Sequence, residues 1–106
     1  MIEPPGIAVE CKVQCVDGQL QISGEMTIYT CEAAASQVLS AITPDATPLR
    51  FALEQVTEMD TAGLQVILMA RKHAKDLARE VSIESASPAV ADVLGLCGLS
   101  DLVVSP

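Results

Sequence analysis

The chain has 106 residues, enough for a single domain over 1–106 that buries roughly 60–65% of its unfolded surface without a disulfide or metal staple. Half of the residues are apolar, chiefly Ala, Val, Leu and Ile with one Phe, one Tyr and no Trp, which implies a thin aliphatic core of the kind formed by helices on a sheet. A net charge of −8 argues against nucleic acid and anionic membrane surfaces as partners and leaves a basic protein surface open.

The opening segment MIEPPGIAVE has neither a positively charged start nor an apolar stretch, and the longest fully apolar run, VILMA, is too short to span a bilayer. A cytoplasmic protein without membrane insertion is expected. Val9, Cys11, Val13 and Cys15 alternate, Asp17-Gly18 supplies a type I′ turn, and Leu20 and Ile22 alternate again, which predicts a β-hairpin. After the loop GEMTIY, Thr30 is placed to cap a helix with Glu32 in its first turn. Ala35, Val38, Leu39 and Ile42 form that helix's apolar stripe, and Pro44 ends it.

Pro48 precedes a strand, LRFAL, with Leu49, Phe51 and Leu53 on one face. The next helix carries Gly63, Val66, Ile67, Ala70, Ala74 and Leu77 on one stripe, widened by Leu64 and Leu68. Arg71, Lys72, Lys75 and Arg79, interleaved with Asp76 and Glu80, read as the solvated face near its C-terminus. VSIE predicts a short strand. Ser87 and Pro88 open a last helix with Val90, Val93, Leu94 and Cys97 on its apolar face, Gly98 closes it, and LSDLVV is a short strand or helical turn. The order β-β-α-β-α-β-α predicts an α/β fold with a small mixed sheet of four to five strands, the hairpin antiparallel and the crossovers right-handed.

Chemistry-bearing residues are sparse. Cys11 and Cys15 point the same way along a strand but stand ~13 Å apart, too far for one disulfide or one zinc ion, and all four cysteines are explained as small apolar filler. The single histidine, His73, lies among basic residues with no nucleophile beside it. No phosphate-cradling glycine loop or metal-spaced His/Cys set is present, so neither a catalytic activity nor a cofactor nor a metal is expected.

The stretch Asp60-Thr61-Ala62-Gly63 is the anomaly. A glycine in a first helical turn costs about 1 kcal/mol relative to alanine, a cost with no local rationale unless something approaches that turn closely. Either Asp60 or Thr61 can cap the helix, and the small side chains leave the end accessible to another surface or a phosphate.

The segment FALEQVTEMDTAGLQVILMARKHA resembles the signature of the STAS family, the domain shared by anti-sigma-factor antagonists and the cytoplasmic tails of sulfate transporters. The match runs through Val56, Met59, Asp60, Thr61, Ala62, Gly63 and Leu64, and extends to GEMTIYTCEA and SPAVADVLGLCGL. This resemblance implies a mixed sheet with helices mostly on one face and a bacterial signalling role. It also implies that Thr61 is the regulatory phosphorylation site, where well-described antagonists carry serine. Threonine there is similar to two other STAS groups, those accompanying chemotaxis proteins and those acting as small subunits of lipid-transport ABC assemblies, and DTAGLQ, ARKHA and SPAV look closest to the chemotaxis-associated group.

The function implied is a phosphorylation-switched interaction module whose protein partner is an anti-sigma-type serine/threonine kinase or a chemotaxis component. Alternatives are a constitutive subunit of a lipid-transport ABC assembly, or a small-ligand or nucleotide binder. The expected partner surface comprises Met26 and Tyr29 in the strand-to-helix loop, together with Met59, Asp60, Ala62, Gly63 and Leu64 around Thr61, since interfaces favour Met and Tyr.

Overall fold

Asp17 and Gly18 both adopt positive φ, 51° and 79°, and fold the chain into the type I′ hairpin that the Asp-Gly pair calls for. The computed structural model describes residues 10–44 and 47–103; Val9, the first of the alternating hairpin positions, lies outside them. The hairpin pairs β1 (Cys11–Val16) with β2 (Gln19–Met26) in antiparallel register from Cys11↔Gly24 to Val16↔Gln19. There follow α1 (Cys31–Ala41), β3 (Leu49–Met59), α2 (Thr61–Asp76), β4 (Val81–Ala86), α3 (Pro88–Leu96) and a 3₁₀ turn over Ser100–Leu102. The sheet order is β1-β2-β3-β4, with β2–β3 and β3–β4 parallel, so the mixed α/β architecture is as expected. Beyond the 3₁₀ turn, Val103 bridges Ile83.

One face of the sheet meets the helices. Leu20, Ile22, Leu49, Phe51, Leu53 and Ile83 form a single buried cluster with Val38 of α1, Val66, Ile67, Ala70 and Ala74 of α2, and Val90 and Leu94 of α3. Phe51, the chain's one phenylalanine, is fully enclosed among these aliphatic side chains. The other face is polar: Gln19 and Arg50 both donate to Glu84, and Gln21 donates to Gln19.

β3 is longer than the strand LRFAL expected from the alternation, because its register slips twice against β2, between Gln21/Ser23 and between Gly24/Glu25. A bulge inserts an extra residue and inverts which positions face inward. Leu49, Phe51 and Leu53 therefore point into the core, and so does Val56. The slips carry β3 up to Met59, paired with Met26 at the end of β2.

Three details differ from the sequence reading. Arg79 is not on a solvated face: α2 stops at Asp76, and Arg79, only 5% exposed, turns back to donate from Nε to the Thr47 carbonyl and from Nη1 to the Thr43 carbonyl. Cys97 is exposed because α3 ends at Leu96, and Cys15 is exposed near the hairpin turn, so packing accounts for Cys11 and Cys31 only. Thr30 precedes α1 but its hydroxyl makes no capping bond to that helix; it is spent inside the preceding loop.

Candidate functional site

The C-terminal ends of β2 and β3 lie side by side, so the segments that follow them, the loop 27–30 and the first turn of α2, emerge together. Asp60 joins the two. One carboxylate oxygen, Oδ1, accepts from the backbone N–H groups of Ala62 and Gly63 at 2.9 and 3.1 Å, and the other, Oδ2, accepts from the N–H of Ile28 at 3.0 Å. Partial burial pushes this carboxyl upward, but the Ile28, Gly63 and Ala62 amides outweigh it and hold the group below the ordinary carboxylate range. It is an anion at neutral pH, at a helix N-terminus where negative charge is favoured.

The two threonines organise the loop. The Thr30 hydroxyl donates to the Glu25 carbonyl and accepts from the Thr27 N–H, while the Thr27 carbonyl accepts from the N–H groups of Thr30 and Cys31. With both threonine side chains engaged inside it, its crest consists of Ile28 and Tyr29, 72% and 71% exposed. Such large apolar side chains left in water beside a rigid turn are the kind of surface that a second protein covers.

Gly63 answers the anomaly in the sequence. A Cβ on Gly63 would stand 2.2 Å from the Met26 carbonyl oxygen and 2.9 Å from the Met26 Cβ. That same carbonyl accepts the Asp60 N–H at 3.3 Å. The surface that comes close is the protein's own strand end.

The expected contact residues accordingly divide. Thr61 is exposed, Tyr29 is exposed, and Met59, Asp60 and Ala62 are partly exposed. Met26 is fully buried, Gly63 is pressed on Met26, and Leu64 is 6% exposed in the core. These three shape the surface from beneath and do not belong to it. Replacing Met26 by aspartate would bury a charge and unfold the chain rather than test binding.

An open groove of about 600 Å³ lies beside this turn, lined by Glu25, Thr27 and Tyr29 of the loop region, Thr57 to Asp60, and Ala89, Asp92 and Val93 of α3. The α3 residues were missed by the sequence reading. A signal for them existed: Ala89, Val93 and Leu96 recur at i, i+4 and i+7 beside the stripe of Val90 and Leu94, which gives α3 a second apolar face.

The thiols near the turn are poor nucleophiles. Burial, and then the neighbouring Cys31, push the Cys11 thiol up to about 11, and burial followed by Asp60 raises Cys31. Among the described residues no three His, Cys, Asp or Glu side chains converge as metal ligands would, and no helix is long and apolar enough to cross a membrane.

This arrangement can be compared with known families. A family model described as "Mlab, STAS domain" matches residues 12–104. The chain belongs to the STAS domain family. Among solved structures, the STAS fold seen here is similar to the anti-sigma factor antagonist SpoIIAA in its unphosphorylated form, with a TM-score of 0.71 at 20% identity over 91% of this chain and 87% of that one. The Bacillus cell fate determinant SpoIIAA in its phosphorylated form gives 0.66 at 19% identity, covering 91% of this chain and 90% of the other. An anti-sigma factor antagonist from Mycobacterium paratuberculosis gives 0.67 at 20% identity, with 88% and 80% covered. At these identities the likeness is one of fold.

Proposed function

We propose that this STAS domain is a non-catalytic protein-interaction module of the anti-sigma-factor antagonist type, docking a serine/threonine kinase or a chemotaxis signalling component through the surface around Thr61, with phosphorylation of Thr61 as the switch. The observation that supports this most is a division of labour in the turn. Asp60 supplies the cap of α2, so the exposed Thr61 has no capping duty, and the same Asp60 ties the Ile28–Tyr29 loop to this turn.

A phosphate there adds about −1.5 to −2 charges at neutral pH. The dipole at the start of α2 offsets part of that charge, so the fold is expected to survive. A partner seated over Ala62 and the crest would instead have to accommodate a bulky hydrated dianion, and desolvating a charge without a matched cation costs several kcal/mol. About 1.4 kcal/mol is already tenfold in affinity.

The test is direct. The chain is incubated with candidate partner kinases, followed by intact mass and site mapping, and Thr61→Glu is compared with wild type in partner binding and in thermal unfolding. Addition of one phosphate at Thr61, with Thr61→Glu weakening binding at least about tenfold at an unchanged melting temperature, supports the switch. No modification together with full binding by Thr61→Glu overturns it and leaves a constitutive subunit, such as one of a lipid-transport ABC assembly. That second reading is favoured by the apolar character of the Ile28–Tyr29 crest, which a permanent interface would cover.

A further inference from the structure

The groove beside the turn has a composition that the turn alone does not explain. In α3, Val90 and Leu94 point into the core and are fully buried. Ala89, Asp92 and Val93 line the groove, Val93 while also packing against the core, and Leu96, one turn further on, is 88% exposed. A leucine left in water, continuing a face that already borders a groove, is apolar area without an internal partner.

The rim is uniformly acidic. Glu25, Glu58, Asp60 and Asp92 line the groove, and among the described residues no lysine or arginine does. The ion pairs found among the described residues, Lys12–Glu10 and Arg50–Glu84, lie elsewhere. The basic residues of α2 are at its far end, from Arg71 onward. β4 accompanies β3 only as far as Leu53↔Ala86, so the end of β3 at the groove is paired with β2 alone.

From the apolar floor, the unneutralised acidic rim and a β3 end paired on one side only, we propose that this groove is a docking site for a cationic amphipathic segment of the partner, one that lays aliphatic side chains on Met59 and Val93 and sets lysine or arginine against the carboxylates of Glu58 and Asp92. The proposal rests on the docking role assigned above but not on the switch, because Thr61 lies outside the groove lining. A complete partner covers both the groove and the crest. A short cationic segment occupies the groove alone.

The test uses two synthetic peptides with the same leucine and alanine residues, one flanked by lysine and arginine and one by glutamate, titrated into the 106-residue chain at physiological ionic strength with backbone amide shifts as the readout. The cationic peptide is expected to move the amides of Met59, Ala89, Asp92 and Val93 and to bind more weakly as salt rises. Asp92→Lys is expected to weaken it about tenfold, and Glu54→Lys on the polar sheet face, which changes the net charge equally, to leave it within about twofold. Thr61→Glu is expected to leave peptide affinity within about threefold, so a failed switch and a failed groove give different results. Equal binding of the glutamate-flanked peptide, equal loss with Glu54→Lys, shifts confined to another surface, or no binding of either peptide would overturn the proposal.

Discussion

A glycine stands near the start of α2 and an alanine just past its end, the reverse of what helix geometry by itself would select. Gly63, in the first turn, has ordinary helical backbone but no room for a Cβ against Met26. Ala78, after the helix, adopts φ 57°, the left-handed position that glycine occupies in most such caps. Its neighbour Arg79 donates its N–H to the Ala74 carbonyl at 2.9 Å, closing the helix in the way that glycine-terminated helices close. α3 supplies the internal control: Gly98 sits at φ 69° and the Leu99 N–H returns to the Leu94 carbonyl at 2.8 Å. At the α2 start, tertiary contact dictates the residue. At the α2 end, backbone strain is tolerated because the turn delivers Arg79 to the carbonyls of Thr43 and Thr47.

The sharpest way to break this contrast is Gly63→Ala. Helix propensity alone predicts a gain of about 1 kcal/mol. A contact of 2.2 Å with a backbone oxygen that is held by the Met26–Met59 strand pairing predicts the opposite, because the neighbour cannot swing aside as a flexible side chain would. Overpacking of this kind costs about 3 kcal/mol, read as a lower urea midpoint with an unchanged slope. A stabilised variant would show that the strand end yields and that the glycine answers to something outside the chain.

Asp60→Ala comes next in size. It removes the acceptor of three N–H groups, two in α2 and one in the loop, and loss of an N-cap costs about 1–2 kcal/mol. The carboxyl has its pKa lowered in the folded state, so its contribution is complete above the unfolded value of about 3.9 and fades as the pH falls below it toward the folded value. Wild type is expected to lose this increment in acid titrations of stability, and Asp60→Ala, lacking the carboxylate, to show a shallower acid dependence. Parallel curves would remove Asp60 from its role as the tie between loop and helix.

Ala78→Gly tests the other end. A left-handed alanine costs roughly 1–2 kcal/mol, and the extra unfolded-state freedom of glycine returns about 0.4–1 kcal/mol of that. The variant should gain about 0.5–1 kcal/mol in thermal or urea unfolding. A loss would mean that the turn is not strained.

Much of the architecture is legible because it depends on local rules: the Asp-Gly turn, the stripes of α1 and α2, and the Ser87-Pro88 start and Gly98 stop of α3 all follow from nearest neighbours along the chain. What escapes is non-local. The strand LRFAL extends to Met59 because bulges invert its alternation, and a period-2 count cannot see an inserted residue. Arg79 fits the solvated face of α2 when the helix is counted onward, but the helix has already ended. Met26 and Gly63 are inseparable in space and 37 positions apart (63 − 26) in the chain, so a motif containing Gly63 looks like a surface when it is a seam. For the same reason the motif points to Thr61, Tyr29 and Asp60, which are exposed or partly exposed, while the groove wall from α3 lies outside its reach.

The smallest expected effect decides how the turn is shared between structure and signalling. If Thr61 capped α2, its replacement by alanine would cost about 1 kcal/mol. The cap is Asp60, bonded to the amides of Ala62 and Gly63, and Thr61 is the first residue inside the helix with its side chain exposed. In that position alanine is the better helix former by up to about 0.7 kcal/mol, so Thr61→Ala should unfold at the same denaturant concentration as wild type or slightly above it. The same substitution removes the only atom of the residue that can carry a phosphate. A variant with undiminished stability that cannot be modified would show that the hydroxyl is dispensable to the fold and available to a kinase. A loss of about 1 kcal/mol or more would assign Thr61 to the helix, and its exposure would then say nothing about regulation.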